Sequence, residues 1–262
     1  MPSAKPDPFI LGGKLIHSRL ILGSGKYPLP RIQEVVTAGE PDIVTLALRR
    51  VNPFGEANVL DFLPKGKTLL PNTSGARTAK EALTLARLAR ELGCGDFIKI
   101  EVITDAQNLL PDNEETLEAI KLLVADGFVA LPYMTPDLVM ARKMEKAGAA
   151  AVMPLGAPIG SNKGLTTREL IRLIITGVAV PVIVDAGLGR PSQACEAMEM
   201  GAAAVMVNTA VATAEDPPAM AKAFALAVKA GRAAYLAGLG PIAEPSSSSP
   251  LTGFLNTPSS ED

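Results

Sequence analysis

Histidine and cysteine are almost missing from this chain. One histidine, His17, and two cysteines, Cys94 and Cys195, are all that its 262 residues carry. A His-rich metal cluster is therefore excluded, because such a site needs several ligands. A Ser-His-Asp apparatus would have to use His17, and nothing around it supports one. His17 falls in an early apolar segment, residues 9–22, which contains Gly12-Gly13 and reads as a short hairpin with a structural histidine. The cysteines stand far apart without metal-type spacing, so a reduced cytoplasm is the expected setting. No apolar run approaches ~20 residues, which leaves no transmembrane helix to expect. The start, Met-Pro-Ser-Ala-Lys-Pro-Asp-Pro, lacks an apolar signal region. A formal net charge of −2 gives no electrostatic case for nucleic acid as a partner.

What is present is alternation. Short apolar runs at 20–23, 42–48, 68–72, 97–103, 128–132, 151–154, 182–185 and 204–208 read as strands. Helix-like stretches lie between them at 30–38, 77–92, 114–125, 136–146, 167–175, 191–200 and 217–235. Gly127, Gly148 and Gly201 each fall just past a helix, where a left-handed cap is needed. Eight strands alternating with helices predict parallel pairing and right-handed crossovers. At this length a single (β/α)₈ barrel fits best, since such barrels run to about 250 residues. An open doubly wound sheet would advertise a Gly-x-Gly-x-x-Gly turn after its first strand. Here that place holds Gly23-Ser24-Gly25-Lys26-Tyr27-Pro28, and without the third glycine it is not read as a dinucleotide site. The expected organisation is a flexible N-terminus at 1–8, the barrel at 9–240 and a Pro/Ser-rich C-terminal tail at 241–262. Ser246–Ser249 is a serine run that reads as disorder, yet Leu251, Phe254 and Leu255 are apolar enough to dock.

The chemistry is concentrated in a few places. Residues 97–103 read Phe-Ile-Lys-Ile-Glu-Val-Ile. Residues two apart in a strand share a face, so Lys99 and Glu101 project together, with Ile98, Ile100 and Val102 opposite. Two charges in an otherwise apolar strand cost several kcal/mol each unless they are paired or used. A desolvated lysine loses its proton more easily, and the free amine adds to carbonyls. The segment thus suggests imine chemistry beside a carboxylate. A structural ion pair, or Lys99 as a point charge for phosphate, are the alternative readings. In Pro181-Val182-Ile183-Val184-Asp185-Ala186-Gly187 the same alternation points Asp185 into the barrel mouth, unless it is only a turn former. Three late loops carry glycine or small polar residues: Gly156–Ser161, Asp185–Gly189 and Asn208-Thr209-Ala210. Glycine lets backbone N–H groups approach a phosphate, and barrels of this kind often bind phosphate at the late strand ends. Arg49-Arg50 could hold an anion or be a solvated pair. Asn72, Thr73 and Tyr133 are further polar residues near strand ends. On these grounds alone a class I aldolase is equally well described; the alternative of another class, a non-catalytic phosphate-binding barrel that scaffolds partners, is opposed by Lys99 beside Glu101, because binding alone needs no carboxylate next to the amine.

Taken in order, several segments resemble bacterial thiazole synthase, which forms the thiazole ring of thiamine. They are Leu22-Gly23-Ser24-Gly25-Lys26-Tyr27, Leu70-Pro71-Asn72-Thr73-Ser74-Gly75-Ala76-Arg77, Ile98-Lys99-Ile100-Glu101-Val102-Ile103 and Leu109-Leu110-Pro111-Asp112. Later come Met153-Pro154-Leu155-Gly156-Ala157-Pro158-Ile159-Gly160-Ser161, Val182-Ile183-Val184-Asp185-Ala186-Gly187-Leu188-Gly189 and Val207-Asn208-Thr209-Ala210-Val211. The resemblance runs over residues 9–255. It implies a (β/α)₈ barrel in which Lys99 forms an imine with the ketone of 1-deoxy-D-xylulose 5-phosphate. It implies Glu101 and Asp185 as the acidic pair for proton transfers. Gly160, Ala186, Gly187, Asn208 and Thr209 match the positions that hold the sugar phosphate. Sulfur would arrive as a C-terminal thiocarboxylate on a small sulfur-carrier protein, and dehydroglycine would supply the remaining C–N unit. The enzyme producing dehydroglycine is a second implied partner, and a homo-oligomer, dimer or tetramer, is implied as well. No cofactor and no metal are. The chain departs from the family at Ala76, where cysteine is common, and at Pro136, where aspartate is common.

Overall fold

The computed structural model describes residues 7–48, 51 and 58–242 of the chain. Residues 243–262, which hold the expected tail from Ser246 to Leu255, and the pair Arg49-Arg50 lie outside the described residues.

The chain begins with an antiparallel hairpin, β1 (Phe9–Leu11) and β2 (Lys14–Ile16), turned at Gly12 and Gly13. Both glycines have positive φ, 55° and 79°. Two positive φ values in a two-residue loop match the right-handed twist of the strands it joins. Four parallel strands follow: β3 (Leu20–Gly23), β4 (Ile43–Ala47), β5 (Thr68–Asn72) and β6 (Phe97–Ile100). A small antiparallel pair, β7 (Ile103–Asp105) and β8 (Leu110–Pro111), interrupts the series. Then come β9 (Val129–Met134), β10 (Met153–Pro154), β11 (Ile183–Val184) and β12 (Ala204–Val207). The eight parallel strands run β10-β9-β6-β5-β4-β3-β12-β11. Parallel bridges Val152–Val182 and Leu155–Asp185 join β10 to β11 and close the sheet into a barrel.

Among the described residues eight α-helices surround it: α1 (Leu29–Gly39), α2 (Ala79–Glu91), α3 (Asn113–Ala125), α4 (Leu138–Lys146), α5 (Arg168–Gly177), α6 (Pro191–Glu199), α7 (Thr209–Ala212) and α8 (Pro217–Ala237). Their starts follow local chemistry. Thr78, Asp112, Asp137 and Asp216 each accept a hydrogen bond from a first-turn N–H of α2, α3, α4 and α8. Such caps satisfy donors that the helix itself leaves unpaired. Gly127, Gly148 and Gly201 have φ between 83° and 98° and end their helices as expected.

Alternation along the strands divides the core. Leu22, Val44, Ile98, Ile100, Val184 and Val207 face outward onto the helices. Ile21, Ile43, Leu70, Leu131, Ile183 and Met206 fill the interior, together with Phe9, Leu11 and Ile16 of the hairpin. The hairpin therefore plugs the N-terminal end of the barrel. His17 follows it at that end, exposed, with its backbone N–H on Asp42 Oδ2 at 2.5 Å. The plug leaves the opposite, C-terminal end as the open mouth.

The strand expected over 97–103 is shorter than its sequence. Regular pairing stops at Ile100, Val102 bridges to Ala76, and Ile103 turns into β7 to pair with β8. Ile103 opens this added hairpin rather than continuing the barrel strand, and it lines the mouth cavity. The one-turn α7 was also not expected; it follows directly from β12.

Candidate active site

The mouth holds a cavity of about 410 Å³. All eight residues singled out in the sequence line it: Lys99, Glu101, Asp185, Gly160, Ala186, Gly187, Asn208 and Thr209. Lys99 comes from the end of β6 and is 3% exposed. Its Nζ lies 2.5 Å from Asp185 Oδ2 and 3.2 Å from Glu101 Oε1. The carboxylates are themselves buried, at 2% and 6% exposure. Asp185 directly follows β11, and its backbone is tied into the barrel closure through Pro154 and Gly156. Glu101 lies just past the end of β6. Its orientation is set by Thr73, whose hydroxyl accepts from Glu101 N–H at 2.8 Å and donates to Glu101 C=O at 3.0 Å. Asn72 Nδ2 donates to Glu101 Oε1 at 3.2 Å. Asn72 and Thr73 thus buttress the acid.

Two effects compete at Lys99. Burial favours the neutral amine, but the charges of Asp185 and then Glu101, with their hydrogen bonds, outweigh it, and the pKa is raised above the ordinary lysine value. The expectation from the sequence, that desolvation would free the amine, is corrected here: the resting group is an ammonium held in an ion-pair triad. Within its own strand Lys99 has only Glu101 beside it, whereas the fold brings Asp185 as well, both within 3.2 Å. Tyr133, expected after its strand, lies within β9, fully buried, and its ring sits 5.4 Å from Lys99 Nζ. Burial, followed by the charges of Asp185 and Glu101, pushes its phenol up, so it stays protonated.

The rest of this lining includes main chain in unusual conformations. Gly160 and Gly187 have φ of 77° and 80°, and Ala186 has φ 58°. A left-handed conformation is unusual for a residue with a Cβ. Gly187 has a second constraint, because an added Cβ would stand 2.5 Å from Ala157 Cβ. Among the described residues the N–H groups of Gly160, Ala186 and Gly187 donate to no protein acceptor. Unpaired main-chain donors are rare in folded proteins. Three of them in the lining of one cavity suit an anion.

Asn208 ends β12 and precedes α7. Its side chain occupies the space a Cβ would take at Gly23 and Gly25, 2.5 Å and 2.9 Å away respectively. The Gly-Ser-Gly turn is therefore a seat for Asn208, which explains two glycines without a dinucleotide. Lys26, at the end of that turn, was not singled out as a site residue. It lines the cavity, and its Nζ donates to Thr209 Oγ1 at 3.2 Å. Only its position directly after the Gly-x-Gly turn pointed to it. The cysteines are elsewhere. Cys94 is buried before β6, at the plugged end, and Cys195 is half-buried on α6 with its thiol on Glu199. Burial pushes both thiols up. Among the described residues there is no group of three acidic, histidine or cysteine side chains placed to hold a metal. Nor is any helix there long and apolar enough to cross a membrane.

The same chain is similar throughout to known proteins. A sequence model described as "Thiazole biosynthesis protein ThiG" matches residues 10–250. A thiazole synthase of Pelotomaculum thermopropionicum is 62% identical over 252 residues, covering 95% of this chain and 98% of the relative. One from Clostridium beijerinckii is 59% identical, covering 96% and 99%. Among solved structures, the BexX/CysO complex of Amycolatopsis orientalis contains a chain of 34% identity and TM-score 0.81, covering 92% of this chain and all of that one. The chain belongs to the thiazole synthase family, the enzymes that make the thiazole of thiamine.

Proposed function

We propose that the reaction runs through an imine between Lys99 and the ketone of 1-deoxy-D-xylulose 5-phosphate. The observation that carries this reading is the buried ammonium of Lys99 between two buried carboxylates at the mouth. The carboxylates have a chemical use. An ammonium cannot attack a carbonyl, so one proton must leave as the ketone docks. Asp185, at 2.5 Å, is the nearest acceptor. Nitrogen then adds to the carbonyl carbon, and the carbinolamine loses its hydroxyl as water once that oxygen is protonated. The proton placed on Asp185 can return there. Glu101, held by Asn72 and Thr73, remains to move protons in the isomerisation of the imine and in ring closure. Positioned acids and bases of this kind contribute about 10²–10⁴-fold.

The sugar phosphate sits on the N–H groups of Gly160, Ala186 and Gly187 and on Asn208–Thr209. Their unpaired donors support this placement. Sulfur comes from outside the chain, as a thiocarboxylate on a carrier protein whose C-terminus enters the mouth, and dehydroglycine supplies the C–N unit. A protein partner is supported by the 34% identical relative, which was solved in a complex with a second protein. The test is reconstitution. Deoxyxylulose phosphate, dehydroglycine and thiocarboxylated carrier should together give the thiazole phosphate, and omission of the carrier should give none. Cleavage of the sugar phosphate without carrier would identify a class I aldolase instead.

A further inference from the structure

We propose that Lys26 is a substrate-positioning residue that supplies the positive charge for the phosphate of the sugar phosphate. The inference rests on the phosphate placement given above and adds to it the one group that placement lacks, a cation. The catalytic triad of Lys99, Glu101 and Asp185 sums to one negative charge. A phosphate monoester brings about −1.5 to −2 more at neutral pH. Backbone N–H groups carry only partial charges, so the cavity would otherwise oppose its substrate.

Four observations single out Lys26. Its Nζ donates to Thr209 Oγ1 at 3.2 Å, on one of the loops assigned to the phosphate. The same Nζ lies 3.5 Å from where a Cβ at Gly160 would stand, on a second such loop. Its ammonium therefore spans the two walls between which an anion would sit. No carboxylate among the described residues lies within ion-pairing distance of it, whereas Lys99 has two. Its backbone has φ 70°, left-handed for a side-chain-bearing residue. That conformation costs about 1–2 kcal/mol, and the fold keeps it at a residue whose charge faces the cavity. The preceding Gly23-Ser24-Gly25 turn fixes the position, because Asn208 packs into it and ties Lys26 to the strand that leads to Thr209.

The experiment compares 1-deoxy-D-xylulose 5-phosphate with unphosphorylated 1-deoxy-D-xylulose in imine trapping at Lys99, over a range of sugar concentrations. Wild type should favour the phosphate ester. Lys26→Ala should reduce that preference about 10- to 100-fold, the usual worth of a hydrogen bond to a charged group. The loss should appear as weaker half-saturation for the ester, with the trapping rate at saturation kept. Lys26→Arg should restore most of the preference. Lys26→Gly, which relaxes the backbone while removing the charge, should behave like Lys26→Ala. A wild-type preference left intact in Lys26→Ala would overturn the role of Lys26 while leaving the backbone cradle standing. So would a variant that loses affinity equally for both sugars, since that marks a loop defect. A wild type with no preference for the ester would overturn the cradle and the Lys26 proposal together.

Discussion

Replacing Lys99 by methionine should destabilise the protein in a way that can be largely repaired. The substitution keeps the volume of the side chain but removes the cation that, among the described residues, pairs with two buried carboxylates, 2.5 Å and 3.2 Å away. Breaking a buried ion pair from one side costs about 3–5 kcal/mol, because the remaining charge is uncompensated. For a domain of this size each kcal/mol lowers Tm by about 2–4 °C, so the expected fall is about 6–20 °C. Removing one carboxylate as well, in Lys99→Met with Asp185→Asn, leaves Glu101 alone with Asn72 as a hydrogen-bond donor. Exchanging a whole buried pair for neutral groups is often close to neutral. The double variant should therefore recover more than half of the lost Tm. The pH dependence has a definite sign. The pKa of Lys99 is raised in the folded state, so its contribution is complete below the ordinary lysine value of 10.5 and disappears as pH rises through the higher folded value. On the alkaline side the gap between wild type and Lys99→Met should therefore shrink as pH rises above about 10.5. Thermal unfolding followed by circular dichroism at several pH values measures all of this. A Lys99→Met variant as stable as wild type at pH 7 would refute the reasoning, since it would mean the three charges are not coupled.

Other outcomes follow from the same geometry. Glu101→Gln and Asp185→Asn should each lower turnover by about 10²–10⁴-fold while leaving the fold intact, and near-normal turnover in either would show that carboxylate to be structural. Gly187→Ala should weaken both substrate binding and stability, because its Cβ meets Ala157 at 2.5 Å. Gly66→Ala, at φ 85° with open space around it, should cost only the backbone preference of about 1–2 kcal/mol; equal losses in the two variants would remove the steric argument. A Cys94→Ala, Cys195→Ala double variant should still make thiazole from thiocarboxylated carrier. A folded but inactive double variant would place the sulfur donor inside this chain.

The residues that were legible in the sequence share a physical cause. Lys99, Glu101 and Asp185 are polar in strands whose neighbours are apolar, and a period of two assigns their face without any knowledge of the fold. Strand count and helix caps then made a closed barrel the natural architecture. What was not legible depends on contacts across the barrel. The protonation of Lys99 turns on a carboxylate 86 positions away, so burial alone pointed in the wrong direction. Gly23 and Gly25 look like half of a nucleotide turn until Asn208 is seen to pack on them. Lys26 looks like an ordinary surface lysine, because neither its left-handed backbone nor its reach to Thr209 leaves a mark in local composition. Residues 97–103 read as one strand because Ile103, which opens the added hairpin and lines the mouth, is as apolar as the barrel residues before it.

The proposed function requires that Lys99 be the amine that binds the sugar. It is tested most directly by borohydride reduction in the presence of 1-deoxy-D-xylulose 5-phosphate, followed by intact-mass measurement and peptide mapping. The cavity holds a second lysine, Lys26, so the position of the adduct carries the information. Wild type should gain one reduced sugar phosphate, located on Lys99, and Lys99→Ala should gain none. An adduct of equal yield on Lys99→Ala, or one mapped to Lys26 in wild type, would contradict the account.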